Sequence, residues 1–338
     1  MSDPGSLAMR IVLDAMGSDN HPEPELEAAV EAYRLWGERL TLTGPAEVLG
    51  SRVDPSRVDI VDAPEILEMD DKPAVAAKKK PNSSMAVGMR MLKHGEADAF
   101  ITMGNTGGAM ATALFQLGRI KGVKRPALSP VFPVRDGSTV VIDIGANTDC
   151  RPEYLLQFGI MGSIYSEILM ECNSPRVALL STGEEEGKGN MLVAQADQLL
   201  HSSGLNYIGS VEPRELYDGE ADVVVTDGFS GNIFLKTSEA VAALLVDWLR
   251  TEIGASPVTA AGGYLARPAF RRVGKLLDPT EYGAVPLLGV DGLVFIGHGR
   301  SNTHAVVSAL RAARKAVSRG LMYALREGLK ESLEESDH

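Results

Sequence analysis

Two side chains in this sequence are set where they could meet an anion or a carbonyl group. Lys188 stands between glycines in GKGN (187–190), on a loop that gives a long cation free reach. Asn232 closes DGFSGN (227–232), just where an apolar run of helical period begins. A lysine can hold a phosphate or a developing oxyanion, and an amide can orient a reacting carbonyl. Further loops share this character. GNTGG (104–108) precedes a helical pattern, where unpaired N–H groups and the positive end of a helix dipole converge on Asn105, Thr106 and Gly107. DIGAN (143–147) ends on Asn147, and Lys236 follows Asn232 by one helical turn. Taken singly, Asn105 and Asn232 suit helix capping as well as ligand binding.

Other chemistries lack their residues. The pattern G-x-x-x-G-K-G at 183–189 is one residue short of a nucleotide-binding P-loop, with no Ser or Thr after the lysine to reach magnesium. No G-x-G-x-x-G follows a strand, no His/Cys cluster has zinc spacing, and G-x-S-x-G is absent. Consecutive carboxylates at Glu184, Glu185 and Glu186 point in different directions, so they serve better as charge near the helix after Asn190 than as a chelate. Cys150 has no histidine near it in sequence and reads as an inert thiol.

The elements that must position these residues repeat a single theme. Six times an apolar, β-rich run ends in a Gly, Asn, Asp or Ser loop and gives way to a helical pattern: 10–33, 97–118, 138–170, 176–200, 221–249 and 292–317. Such alternation implies a mainly parallel sheet covered on both faces, with ligands at the carboxyl ends of the strands. Residues 251–284 break the rhythm, with Arg267, Arg271, Arg272 and Lys275 near the end of a Gly, Ala and Pro-rich stretch. We expect 1–8 to be an extension outside the fold, 9–330 one domain with an amphipathic helical excursion near 251–280, and 331–338 an acidic tail.

The chain has 338 residues, enough for a large α/β core. Its net charge of −12 argues against nucleic acid as the main partner. Its two cysteines form no disulfide framework and suit a reducing cytoplasm. No continuous apolar run reaches the length of a bilayer, the best being short, such as AVAALLV (240–246).

DAMGSD (14–19), NSSM (82–85), GNTG (104–107), GRIKGVKRPAL (118–128), DIGAN (143–147), GKGN (187–190), ADVVVTDGFSGN (221–232) with Leu235–Lys236, and HG (298–299) stand in one order along the chain. In that order and spacing the sequence, from about 9 to 325, resembles the PlsX-type phosphate acyltransferases of bacterial fatty acid and phospholipid synthesis. The resemblance implies an α/β fold, a Rossmann-like three-layer αβα sandwich similar to isocitrate and isopropylmalate dehydrogenases and to phosphotransacetylases. It implies transfer of a fatty acyl group from acyl carrier protein to inorganic phosphate, without cofactor or metal. It also implies a homodimer, contact with the inner face of the cell membrane, and a downstream membrane glycerol-3-phosphate acyltransferase. On that reading Lys188 binds phosphate or the oxyanion and Asn232 orients the carbonyl. Asn105, Thr106, Gly107 and Asn147 line the anion pocket, with Lys236 a further cation. Asp14, Asp143 and Asp227 organise loops, and His298 either supports the cleft or protonates the leaving thiolate. DAMGSDNHP departs from the family's DAMGGDHAP, which moves the histidine to His21. Surfaces for an acidic carrier are Lys78–Lys80, the 267–275 cluster, and Arg311, Arg314 and Lys315. Rival readings are a coenzyme A-dependent phosphotransacylase, a metal- and NAD-dependent decarboxylating dehydrogenase, and a non-catalytic scaffold.

Overall fold

All six strand-to-helix units form, and their starts obey local rules. A computed structural model describes residues 9–183 and 188–335, so the three glutamates, residues 1–8 and the last residues of the tail lie outside the described chain. The elements begin with β1 (Ile11–Asp14), α1 (Glu23–Trp36), β2 (Leu40–Gly44), α2 (Ala46–Leu49) and β3 (Val58–Asp62). Next come α3 (Pro73–Lys79), α4 (Ser84–Lys93), β4 (Ala99–Thr102), α5 (Thr106–Gln116), β5 (Ala127–Leu128) and β6 (Val131–Val134). The middle of the chain forms β7 (Gly137–Ile142), α6 (Pro152–Met170), β8 (Val177–Leu180), α7 (Met191–His201), β9 (Tyr207–Val211) and α8 (Pro213–Asp218). The last third holds β10 (Val223–Val225), α9 (Gly228–Gly254), α10 (Pro257–Leu277), β11 (Ala284–Leu288), β12 (Val294–Gly297), α11 (Thr303–Ser318) and α12 (Leu321–Glu335). Proline in the first turn starts α1 and α6, where no N–H is needed for the ladder.

The strands divide between two sheets, whereas the alternation alone suggested one. The first runs β3-β2-β1-β4-β12-β11-β5 and the second β6-β7-β10-β8-β9. Apart from antiparallel pairing at β11 and β6, the described ladders are parallel. An apolar run shows that a strand forms but not which strand it joins, and β7 pairs with β6 and β10 rather than continuing the first sheet. β1, β4, β10 and β12 are buried at every residue, as parallel strands with helices on both faces must be. Two hydrophobic clusters run through both sheets, one from Ile11 and Phe295 to Ile142, Phe158 and Val225, the other from Val12 and Phe100 to Val141 and Val224.

The break at 251–284 is the distal part of a helical hairpin. Ser256 caps α10 by accepting the Thr259 N–H at 3.2 Å. Of the residues in α9 only Gly228 and Gly231 are buried, and of those in α10 none. Val258 and Leu265 are 82% and 80% exposed, with Trp248, Tyr264 and Val273 also bare. Single helical residues of this kind are ordinary, but a contiguous apolar face this long marks an interaction surface. By length and composition α9 would even cross a bilayer, which no continuous run in the sequence suggested. Its first turns, however, are built into the second sheet.

One buried acid leaves a measurable signature. Glu25 of α1 is fully buried and its Oε1 accepts the Ser18 N–H at 3.1 Å. Burial pushes its pKa from 4.5 up to about 7. The folded state therefore holds a proton that the unfolded chain has released between those values, and stability falls as pH rises through that window. The decline from this group amounts to at most roughly 3 kcal/mol. Glu25→Gln is expected to flatten the pH dependence of the urea midpoint across that window.

Candidate active site

The loops that carry the predicted residues all leave the carboxyl ends of parallel strands, because each strand runs straight into its helix. In the second sheet β10 lies between β7 and β8. The start of α9, bearing Asn232, is thus flanked by the β7 loop with Asn147 and the β8 loop with Lys188. The topology makes neighbours of Asn147 and Asn232, 85 positions apart in sequence, and of Lys188 and Asn232, 44 apart, by subtraction of their numbers.

Asp143 organises two of these loops. It is fully buried, and its carboxylate accepts from Leu128 N (2.9 Å), Gly145 N (3.3 Å), Ala146 N (3.1 Å), and from both the backbone N (2.8 Å) and Nδ2 (3.0 Å) of Asn147. Burial pushes its pKa up, while these donors oppose the shift. Asn147 spends its Nδ2 on Asp143 and on Pro126 O at 2.8 Å, and its backbone carbonyl receives the Gly228 N–H at 2.8 Å. The start of α9 is thereby sewn to the β7 loop.

Asp227 caps α9, with Oδ1 accepting from Phe229 N and Ser230 N at 2.9 Å each and Oδ2 from Ser230 Oγ at 2.8 Å. Asn232 is therefore not a cap. Its exposed amide makes no hydrogen bond within the described residues and lies 3.8 Å from where a side chain would begin on Gly145. Gly231 beside it has no space for even a methyl group, which would stand 2.0 Å from the Asp143 carbonyl oxygen. That approach presses the first turn of α9 onto the β7 loop.

The β8 loop is held from its far end. Asn190 caps α7 by accepting the Val193 N–H at 2.9 Å, and Gly189 adopts φ +95°, a region that disfavours a side chain. Lys188 emerges exposed just before this turn.

In the first sheet Asp14, at the end of β1, is fully buried and accepts from Met16 N (3.0 Å) and Thr102 Oγ1 (2.7 Å). Burial raises its pKa. Asn105 is occupied at both ends of its amide: Oδ1 caps α5 through Gly108 N at 2.9 Å, and Nδ2 donates to Met69 O at 2.8 Å. It clasps segment 68–71 to the helix, while Thr106 and Gly107 occupy the first turn of α5. His298 follows β12 at the cleft surface. Desolvation, and then the positive charge of Lys236, push its pKa below the ordinary value. Lys236 itself pairs with Glu239 at 2.8 Å.

The residues thus form two groups. Asp143, Asn147, Asp227, Asn232 and Lys188 belong to the second sheet, Asp14, Asn105, Thr106, Gly107 and His298 to the first, with Lys236 facing His298. Arg300, whose charge also depresses His298, had no motif to reveal it, and neither did buried Glu25, which holds the N–H of Ser18 in the DAMGSD motif. Cys150 lies near these loops, but burial pushes its thiol up to about 12, which removes it as a nucleophile at neutral pH. Among the described residues no group of three His, Cys, Asp or Glu converges as for a metal.

The tight seam at Gly231 is testable. Gly231→Ala is expected to cost about 1–3 kcal/mol in urea unfolding and to lower turnover through Asn232, because overpacking forces the backbone apart. An unchanged midpoint and turnover would show that the seam is looser than described.

Comparison with known proteins bears on the whole chain. The family model for the fatty acid synthesis protein matches residues 9–323. A phosphate acyltransferase of Pelotomaculum thermopropionicum is 43% identical over 330 residues, covering 96% of each chain. One from Dictyoglomus thermophilum is 44% identical over 336 residues, covering 97% of this chain and all of the relative. Among solved structures, a phosphotransacetylase from Streptococcus pyogenes shares the fold, with a TM-score of 0.61 at 16% identity over 91% of this chain and 94% of that one. With sequence likeness running the length of the α/β fold, this chain belongs to the fatty acid synthesis protein family, the PlsX-type phosphate acyltransferases.

Proposed function

We propose that the chain carries a fatty acyl group from acyl carrier protein to inorganic phosphate, yielding acyl phosphate for phospholipid synthesis. The enzyme is a phosphate acyltransferase; the carrier as donor is the further step. The observation that carries this reading is an unpaired amide, Asn232, pressed into place beside the β7 loop, with a glycine-set lysine on the adjacent β8 loop. Phosphate is already nucleophilic at neutral pH, so positioning and oxyanion stabilisation are the main demands.

One phosphate oxygen attacks the thioester carbonyl carbon, and the carbonyl electrons move onto oxygen. Lys188 holds the phosphate or this oxyanion, and the Asn232 amide donates to the carbonyl oxygen. As the intermediate collapses, the C–S electron pair leaves with sulfur, giving acyl phosphate and a thiolate. Desolvation and nearby positive charge disfavour the protonated form of His298 that a donor to sulfur would need, so solvent is the simpler proton source for the thiolate. Asp14, Asp143, Asp227, Asn105 and Asn147 act by holding loops, and Thr106, Gly107 and Lys236 supply donors around the anion.

Docking of an acidic carrier narrows on two of the basic surfaces. Lys80 is tied to Asp71 at 2.6 Å and to Ile66 O at 2.8 Å, and Arg314 pairs with Glu38 and stacks 4.6 Å over Trp36. Lys78, Lys79, Arg311 and Lys315 stay available beside them. The α9–α10 hairpin favours a peripheral place on the inner face of the membrane, since α10 joins bare apolar residues to four basic ones and no acid. There the acyl phosphate would pass to a membrane glycerol-3-phosphate acyltransferase. A homodimer is the expected assembly.

Purified protein should consume long-chain acyl carrier protein only when phosphate is present, and faster than it consumes the coenzyme A thioester. Lys188→Ala and Asn232→Ala should each lower kcat about 100-fold; near-normal turnover in both would refute the site. Lipid binding without any turnover would favour the scaffold reading. Replacing both Val258 and Leu265 with Asp should release the protein from anionic vesicles in a sedimentation assay while sparing turnover of a soluble donor.

A further inference from the structure

A strap of irregular chain, residues 65–73, joins β3 to α3 and packs on the start of α5, the helix that carries Thr106 and Gly107. Its root is pinned on the NSSM stretch. Glu65 Oε2 accepts the Asn82 N–H at 2.7 Å, and Glu65 O accepts the Ser84 N–H at 3.1 Å. Leu67 is buried against Gly108, where a methyl group would stand 2.5 Å from its Cδ2. Pro73 meets Gly107 in the same way, at 2.7 Å. Thr106 stays exposed, so the strap walls the helix start without sealing it.

Two side chains hold the turn at 68–71. One is Asn105, whose Nδ2 donates to Met69 O at 2.8 Å with Asp71 O at 3.3 Å and Glu68 O at 3.5 Å beside it. Three carbonyls around one amide nitrogen fix the orientation of that amide, because reversing it would set oxygen against oxygen. Its Oδ1 is thereby kept on Gly108 N, which leaves the N–H groups of Thr106 and Gly107 unclaimed by the cap. The other is Lys80, whose Nζ donates to Ile66 O at 2.8 Å and to Asp71 Oδ2 at 2.6 Å. The same carboxylate oxygen accepts the Glu68 N–H at 2.8 Å. That ammonium and that N–H hold the Asp71 carboxyl below its ordinary pKa. Lys80 therefore closes the turn, whereas Lys78 and Lys79 lie exposed at the end of α3.

We infer that Lys80 is a positioning residue for phosphate: by fixing the 68–71 turn it fixes the Asn105 amide, and so keeps the first N–H groups of α5 available to the anion. The inference rests on the placing of phosphate at Asn105, Thr106 and Gly107 in the acyl-transfer reading above. Lys80 touches no substrate; it acts through Asp71 and then through Asn105. One basic run thus divides its work, with Lys78 and Lys79 turned to solvent and Lys80 committed to the strap.

The test measures KM for phosphate and KM for palmitoyl acyl carrier protein in wild type, Lys80→Met, Lys80→Arg and Asp71→Ala. Lys80→Met and Asp71→Ala should each raise the phosphate KM about tenfold, the size expected of one hydrogen bond to a charged group, with the carrier KM unchanged. The double variant should be little worse than either single one, since both break the same link. Lys80→Arg keeps the charge and the donors and should restore most of the loss. The sign of the Asp71→Ala effect separates this role from its rivals. A lysine that drew phosphate or carrier by its charge would be released by that change, and the corresponding KM would fall. A fall in either KM, or a phosphate KM unchanged in both single variants whatever happens to their urea midpoints, would overturn the inference. Asp71→Ala alters only a half-buried turn and carries the test alone should Lys80→Met not fold. Absence of acyl phosphate from wild type with every acyl donor would instead bring down the acyl-transfer reading, and this inference with it.

Discussion

The buried carboxylate of Asp143 is the interaction on which the site depends. Its two oxygens gather the donors of residues 145–147 and also the Leu128 N–H of β5, so one side chain ties the second sheet to an edge of the first. A carboxylate placed in a fully buried position is stable only when donors surround it. Here the donors are mostly backbone groups that would otherwise have no partner at a strand end. The loop geometry and the acid satisfy each other, and neither persists without the other.

The rest of the site follows outward from that knot. Asn147 passes the constraint to Gly228, Asp227 caps the helix, and Gly231 lets the first turn close against the Asp143 carbonyl. Asn232 is thereby presented on a rigid helix start with its amide unengaged, while α9 runs on for six further turns to the exposed hairpin. The unengaged Asn232 amide and the apolar surface are two ends of one helix. The first sheet contributes an opposite wall whose buried acids, Asp14 and Glu25, support the 14–19 loop rather than face the phosphate.

Much of this was legible beforehand for a physical reason. The βα units announce themselves because buried parallel strands need near-continuous apolar runs and their turns need Gly, Asn or Asp. The role of Asp143 as an organiser was read from its position near a strand end, and the inertness of Cys150 from the absence of a histidine near it in sequence. Asn105 and Asn232, equally good as caps in the sequence, separate only in the fold: Asn105 caps and clasps, and Asn232 is relieved of capping by Asp227. Nothing in EPELEAAV marks Glu25 as buried, since a helix of that composition could turn either face inward.

By itself the sequence determined the class of fold, the six strand-to-helix units, and the family, because local apolar periodicity and ordered motifs are properties of the chain alone. Tertiary structure decided which strands became neighbours, and therefore that strands form two sheets and that Lys188, Asn232 and Asn147 share one end of the second. It also decided which polar groups are already satisfied by the protein and which, like the Asn232 amide, have no partner among the described residues. Hydrogen-bond partners and strand order depend on contacts between residues far apart in sequence, and no local pattern records them.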